Sequence, residues 1–200
     1  MIVGAVILAA GKSERMKQNK LLLILNNKTL IETVLDALSA AEINEQVVVL
    51  GYKLEEIVEV IKPRLGKVKI ALNVDYEKGM TSSFQTGLIV ISNVDAVFLV
   101  LGDQLVLDPN LLKKMVGIME TNPDALIVCP MYKGKKGHPL LFRRHLFGEI
   151  MSLREDQTIR DVVHAHTDKL MTVEAPEWSI MDIDTPEDYA RINEMIKKIE

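Results

Sequence analysis

The stretch IVGAVIL at residues 2–8 is an unbroken run of apolar side chains that ends in the small residues AAG at 9–11. A strand buried on both faces of a parallel sheet has this continuous apolar character. Three later runs share it and end in Gly or Pro, at residues 46–51, 96–102 and 125–130. Helical patterns lie between and after these runs, at residues 29–41, 53–62, 82–92, 108–121 and 186–199. The alternation predicts an α/β fold, with one Rossmann-like, doubly wound, mostly parallel sheet and helices on both of its faces.

The sequence offers no point at which to divide the chain. It contains no internal repeat, no low-complexity tract and no Pro/Gly/Ser-rich linker, so we predict one domain over residues 1–200. Residues 132–170 are less regular than the rest, and we expect an insertion or a reversed strand there.

Composition restricts the classes of partner. The 200 residues include 24 Lys+Arg and 28 Asp+Glu, a formal charge of −4, so the basic excess of a nucleic-acid-binding domain is missing. The single cysteine, Cys129, excludes an internal disulfide framework and indicates a reducing compartment, for which the cytoplasm is the default. No basic segment precedes the apolar residues 1–10, so we expect neither a signal peptide nor a membrane span.

Small and basic residues follow the first predicted strand, at the sheet edge where open α/β proteins bind ligands. The backbone N–H groups of residues 9–11 can approach an anion closely, and Lys12, Arg15 and Lys20 can neutralise a polyphosphate. The loop matches neither the Walker A pattern nor G-x-G-x-x-G. The structural alternative is an ordinary strand-to-helix loop with solvated basic side chains.

Three aspartates are candidate metal ligands. Asp103 follows the third apolar run at the same predicted sheet edge, and Mg²⁺ takes one or two carboxylates together with phosphate oxygens and water. Asp182 and Asp184 are two residues apart and would project on one face of a strand end. The alternatives are a turn-forming aspartate at 103 and a helix cap at 184–186, where Thr185 can cap while an aspartate binds metal.

Five motifs in order along the chain resemble those of the MobA-like nucleotidyltransferases, in particular the molybdenum cofactor cytidylyltransferases. The motifs are LAAGKSERMKQNK at 8–20, GMTSS at 79–83 with Gly87, GDQ at 102–104, GHPLLF at 137–142 and DIDTPED at 182–188. Three departures stand out: Lys17 and Asn19 replace the glycine and proline of the family's first motif, Leu105 replaces the proline of G-D-Q-P, and residues 155–160 keep only part of G-D-x-G-x-R.

The resemblance implies the fold of the nucleotide-diphospho-sugar transferases and a Mg²⁺-dependent transfer of CMP from CTP to the phosphate of molybdopterin, with release of pyrophosphate. It also implies a transient contact with a molybdoenzyme or its chaperone. The catalytic residues it implies are Arg15, Lys20 and Asp103, and the metal ligands Asp103, Asp182 and Asp184. The nucleotide-binding residues are Leu8, Ala9, Ala10, Gly11, Lys12, Ser13, Arg15, Lys20, Gly79, Met80, Ser82 and Ser83. The acceptor-binding residues are Gln104, His138 and Arg160.

Several of these assignments have alternatives. Ser82 is placed to be the N-cap of the helix at 82–92, and His138 can owe its position to a rigid turn before Pro139. Family members that use GTP resemble L-A-G-G where this chain has LAAG at 8–11, so we expect the methyl group of Ala10 to favour CTP. The rival functions are a GTP-using or sugar-phosphate nucleotidyltransferase and a non-catalytic module that delivers molybdopterin.

Overall fold

The computed structural model describes residues 1–13, 16, 18–181, 185 and 187–190. The strands are β1 (Val3–Ala9), β2 (Ile24–Leu25), β3 (Lys28–Thr29), β4 (Glu45–Leu50), β5 (Val68–Leu72), β6 (Ala96–Leu101), β7 (Ile127–Tyr132), β8 (Lys135–Lys136), β9 (Leu140–Arg143) and β10 (Leu170–Glu174). The α-helices are α1 (Leu30–Ala40), α2 (Leu54–Ile61), α3 (Met80–Val90), α4 (Pro109–Thr121), α5 (Phe147–Met151) and α6 (Ile159–Ala165).

One sheet of the described chain has the strand order β10-β7-β9-β6-β1-β4-β5, with β8 paired to β7, and β2 and β3 form a separate hairpin. Within the large sheet, β1 runs parallel to β4 and β6, and β10 runs parallel to β7. Strand β9 is antiparallel to both of its neighbours, β6 and β7. The sheet is therefore mostly parallel, as predicted, and β9 confirms the reversed strand expected within residues 132–170.

The core has two layers, one on each face of the sheet. In β1, Ala5 and Ile7 pack into the layer that contains α1, α2 and α4, whereas Val6 packs into the layer that contains α3, α5 and α6. All three side chains are fully buried. Burial on both faces explains why residues 2–8 are continuously apolar and confirms the expectation of a doubly wound sheet.

Helix starts follow local capping chemistry. Thr29 forms a capping box with Glu32 at the start of α1. The carboxylate of Asp108 accepts a hydrogen bond from the backbone N–H of Asn110, 2.8 Å away, before Pro109 at the first position of α4. Both helices begin within one residue of the predicted positions.

The prediction of Ser82 as the N-cap of α3 is wrong. The helix begins at Met80, and its N-cap is Gly79, which has φ +94°. Residues with a side chain rarely adopt this φ, and the glycine lets the chain turn into the helix two residues early. The Ser82 hydroxyl instead donates to the carbonyl oxygens of Gly79 at 2.9 Å and Asp75 at 3.2 Å.

Only part of the helix predicted at 186–199 lies within the described residues. Residues 187–190 are helical, and the backbone N–H of Asp188 donates to the Thr185 hydroxyl at 3.1 Å. Thr185 therefore acts as the cap, as expected. None of the helices described is long and apolar enough to cross a membrane.

Candidate active site

The loops after β1 and β6 lie side by side at the carboxyl edge of the sheet. The backbone N–H of Gly102 donates to the Leu8 carbonyl oxygen at 3.0 Å, and a Cβ on Gly102 would lie only 2.7 Å from that oxygen. Glycine at 102 therefore permits this close approach. It brings Asp103 beside the basic loop, with Asp103 Oδ2 3.7 Å from Lys20 Nζ.

A cavity of about 870 Å³ opens at this edge, lined by Gly11, Lys12, Ser13, Lys20, Tyr76, Glu77, Met80 and Asp103. An adjoining cavity of about 280 Å³ shares most of these residues and adds Leu8, Ala9, Ala10, Leu21, Gly79, Ser83 and Leu101. Most of the residues that line the two cavities come from the predicted nucleotide-binding segments at 8–20 and 79–83. Together the two cavities have room for a nucleoside triphosphate.

Lys20 is held in place by its own segment. The backbone N–H of Lys20 donates to the Ser13 hydroxyl at 3.2 Å, and the Asn19 side chain accepts from the Leu21 N–H at 3.1 Å. Lys20 is 8 % exposed although it carries a charge. Asn19, which departs from the family pattern, thus caps the short turn that carries Lys20. Leu105, a second departure, is buried in a small apolar cluster beneath the loop.

Lys12 reaches across the mouth of the larger cavity. Its ammonium forms an ion pair with Glu77 and lies 5.9 Å from the centre of the Tyr76 ring. Glu77 and Tyr76 belong to a short turn at 76–78 between β5 and α3. Sequence reasoning did not include either residue in the site.

Asn73 is a further residue that sequence reasoning missed. Its buried amide nitrogen donates to the hydroxyls of Ser82 and Ser83, each at 3.0 Å, and its Oδ1 accepts from the Asp75 N–H at 2.9 Å. These bonds fasten the 73–79 segment to the start of α3. In the sequence, Asn73 suggests only a turn, because its serine partners lie nine and ten residues away.

The two serines face different cavities. Ser83 lines the 280 Å³ cavity, whereas Ser82 lines a neighbouring cavity of about 290 Å³ with Lys78, Arg154 and Gln157. A role for Ser82 in nucleotide binding stays a prediction. The pKa of Lys78 is raised, chiefly by its hydrogen bond to Glu155.

The predicted acceptor residues Gln104 and His138 line a separate cavity of about 220 Å³ that also contains Asp103. The Gln104 amide nitrogen donates to the His138 carbonyl oxygen at 2.9 Å, and the His138 N–H donates to the Ser179 carbonyl oxygen at 3.1 Å. The bond between His138 and Pro139 is cis, in agreement with the turn considered for this histidine. Asp103 therefore lies where this cavity meets the 870 Å³ and 280 Å³ cavities.

The remaining predicted residues lie elsewhere or outside the described chain. Arg160 lies on the exposed side of α6 and lines none of the cavities named above. Arg15, Asp182 and Asp184 lie outside the described residues. Their roles stay predictions.

The described residues fit a metal ion that is shared with phosphate oxygens. Asp103 lines three of the four cavities described here, and its side chain is 34 % exposed. Within the described ranges, His, Cys, Asp and Glu form no cluster of three or more that could enclose a metal. One carboxylate beside a triphosphate is what Mg²⁺ accepts, so this donor set suits it. Cys129 is no rival nucleophile, because burial raises its pKa to about 11.

Comparison with known proteins agrees with this geometry. Residues 5–170 match the model of the MobA-like NTP transferase domain. The chain is 26 % identical to the molybdenum cofactor cytidylyltransferase of Escherichia coli (strain K12), over 98 % of each chain. It is 25 % identical to the probable molybdenum cofactor guanylyltransferase of Natranaerobius thermophilus, over 99 % of this chain and 98 % of the relative.

A solved structure supports the fold. The crystal structure of Rv0371C from Mycobacterium tuberculosis H37Rv in complex with manganese has a TM-score of 0.80 and 25 % sequence identity. The match covers 97 % of this chain and 99 % of that one. A divalent metal is therefore bound in a protein of this fold.

Proposed function

Because the chain belongs to the family of MobA-like NTP transferase domains and is a nucleotidyltransferase, we propose that it transfers CMP from CTP to the phosphate of molybdopterin. A phosphate oxygen of the acceptor attacks the α-phosphorus of CTP. The bond from that phosphorus to the bridging oxygen of the β-phosphate breaks, and pyrophosphate leaves. The products are a cofactor joined to CMP through a new diphosphate bond, and pyrophosphate.

The position of Asp103 between two cavities is the observation that carries this proposal. The larger cavity has the volume and the basic wall that a triphosphate needs, and the cavity of Gln104 and His138 adjoins it at Asp103. An in-line transfer requires the attacking oxygen of the acceptor phosphate and the leaving oxygen of pyrophosphate to lie on opposite sides of the α-phosphorus. Holding both substrates in that geometry can supply a large part of the rate enhancement.

Positive charge on the loop provides the second contribution. Lys20, with its Nζ 3.7 Å from Asp103, stabilises the charge that develops on the leaving pyrophosphate, and Arg15 does the same from the preceding part of the loop. When CTP binds, the Lys12 ammonium leaves Glu77 and contacts the triphosphate. The acceptor phosphate is already anionic near neutral pH, so the reaction needs no general base.

Asp103 would hold Mg²⁺, with Asp182 or Asp184 as the second carboxylate. When bound, Mg²⁺ neutralises charge on the phosphate oxygens and orients them. On the acceptor side, we assign Gln104, His138 and Arg160 to molybdopterin. Gln104 also holds the backbone of His138, so it shapes this cavity as well as lining it.

The test is pyrophosphate release by the purified protein with Mg²⁺, either CTP or GTP, and either reduced molybdopterin or a sugar phosphate as the acceptor. We expect release with CTP that depends on both the metal and the acceptor. Release with GTP in preference to CTP would make the chain a guanylyltransferase, and release only with a sugar phosphate would assign another acceptor. Nucleotide binding without any release would favour a non-catalytic delivery module.

A further inference from the structure

Gly51 packs against Ala10 and Tyr76, two residues that line the 280 Å³ cavity. Ala10 follows β1 and Gly51 follows β4, directly after the paired residues Ala9 and Leu50. A Cβ on Gly51 would lie 2.9 Å from the Ala10 methyl group, 3.0 Å from the Ala10 carbonyl oxygen and 2.9 Å from the Tyr76 Cβ. Contacts this short leave no room for a side chain at 51. The φ of Gly51 is not positive, so the backbone conformation does not demand glycine here. Glycine is needed because a side chain would not fit.

The Ala10 methyl group therefore packs against Gly51. Ala10 is only 3 % exposed, although it lines the cavity. Removing this methyl group leaves a space beside Gly51, and the positions of Gly51 and Tyr76 decide how far the cavity extends into that space. The identity of residue 10 thus acts on the cavity through these two neighbours.

Tyr76 is itself held in position. The Asn73 N–H donates to the Leu50 carbonyl oxygen at 2.8 Å, and the Asn73 side chain fixes the turn that leads to Tyr76. The Tyr52 ring packs beside Tyr76 with 6.4 Å between ring centres. Tyr76 lines both the 870 Å³ and the 280 Å³ cavities.

We infer that Gly51 is a specificity-determining position for the nucleotide base. Because it has no side chain, Ala10 and Tyr76 can close around it, and this closure sets the depth of the 280 Å³ cavity. Gly51, Tyr76 and Ala10 together then limit the space for the base, which favours the pyrimidine of CTP over the purine of GTP. The inference rests on the proposed function, and it adds that the base of the nucleotide occupies the 280 Å³ cavity, which the predicted nucleotide-binding residues Ala10, Gly79 and Ser83 line.

Gly51→Ala tests the inference by adding one methyl group at the closed contact. The added methyl group pushes Ala10 and Tyr76 toward the cavity. We therefore expect CTP to bind at least about tenfold more weakly. GTP, with its larger base, loses more. Adding Ala10→Gly to this variant removes the opposing methyl group, one of the three short contacts, and restores part of the CTP affinity, a non-additive result. The matched control is Gly117→Ala on α4, where a Cβ meets nothing within 4 Å.

The readout is calorimetric titration of Mg²⁺–CTP and Mg²⁺–GTP into each folded variant, with folding checked by circular dichroism. If Gly51→Ala does not fold, Tyr76→Ala decides: it opens the cavity wall and raises GTP affinity relative to CTP at least fivefold, while Tyr132→Ala leaves that ratio unchanged. Unchanged base preference in Gly51→Ala and Tyr76→Ala, or additive effects in the double variant, would overturn the inference. The proposed function would survive that result if Lys20→Ala still weakened CTP binding. Failure of the wild-type protein to bind either nucleotide would overturn both.

Discussion

Replacing Asp103 by asparagine should remove most of the proposed activity and leave the fold intact. The change keeps the size of the side chain and removes its charge. At 3.7 Å from Lys20 Nζ, the Asp103 carboxylate gains about 4 kcal/mol of gross Coulomb attraction at an effective dielectric constant of about 20. Partial solvent access and desolvation reduce the net contribution to about 1 kcal/mol. The unliganded variant should therefore melt only about 2–4 °C below the wild-type protein.

The effect on ligand binding should be much larger. At a CTP concentration about 100 times its Kd, binding to the wild-type protein contributes about 2.7 kcal/mol of stability. This corresponds to a rise of about 5–10 °C in Tm when Mg²⁺ is present. Asp103→Asn should lose most of this rise and at least about a hundredfold of the rate of pyrophosphate release, because no carboxylate remains at 103 to hold the metal.

Asp108→Asn is the matched control for this experiment. It makes the same chemical change at the N-cap of α4, where asparagine caps as well as aspartate. This control should keep both the Tm rise and the turnover of the wild-type protein. A folded Asp103→Asn variant with near-wild-type pyrophosphate release would refute the metal-binding role of Asp103.

Four further substitutions test the site and the fold. Lys20→Ala should weaken CTP binding about tenfold or more in calorimetric titration, because a charge-assisted contact with the triphosphate is lost; unchanged affinity would remove the assignment of the loop. Arg15→Lys should keep less kcat/KM than the wild-type protein, because lysine lacks the planar fork that binds two oxygens, and equal activity would exclude bidentate binding. Gly87→Ala should lower the free energy of unfolding by about 1–3 kcal/mol in urea titration, because its Cβ would lie 2.2 Å from Val6 Cγ1. Thr29→Ala should cost about 1 kcal/mol in the same assay, because it removes the capping box of α1.

The sequence predicts the parts of the fold whose signals are local. The buried strands β1, β4, β6 and β7 stand out as apolar runs, and helices α1 and α4 begin at recognisable caps. Strand β5 was not predicted: it lies at the edge of the sheet, with Lys69, Ile70 and Leu72 exposed, so it lacks a continuous apolar run. The start of α3 was misplaced because Ser82 is an equally good local cap, and the φ of Gly79 is invisible in the sequence.

Prediction of the candidate site divides in the same way. Gly11, Lys20 and Asp103 carry motif signals next to strand ends, and the structure brings them to one cavity. Asn73, Tyr76 and Gly51 carry no such signal, because their importance comes from neighbours on other strands. The sequence therefore reveals residues that belong to motifs at strand ends, and it does not reveal residues whose role depends on contacts with other strands.

The most direct test of the central claim is the identity of the reaction product. The protein is incubated with Mg²⁺, CTP and reduced molybdopterin. The cofactor is then analysed by mass spectrometry, and the amount of pyrophosphate released is measured. We predict one CMP joined to each modified cofactor through its phosphate, with one pyrophosphate released for each transfer. A cofactor that stays unmodified with CTP but gains GMP from GTP, or that stays unmodified with both nucleotides, would contradict the account.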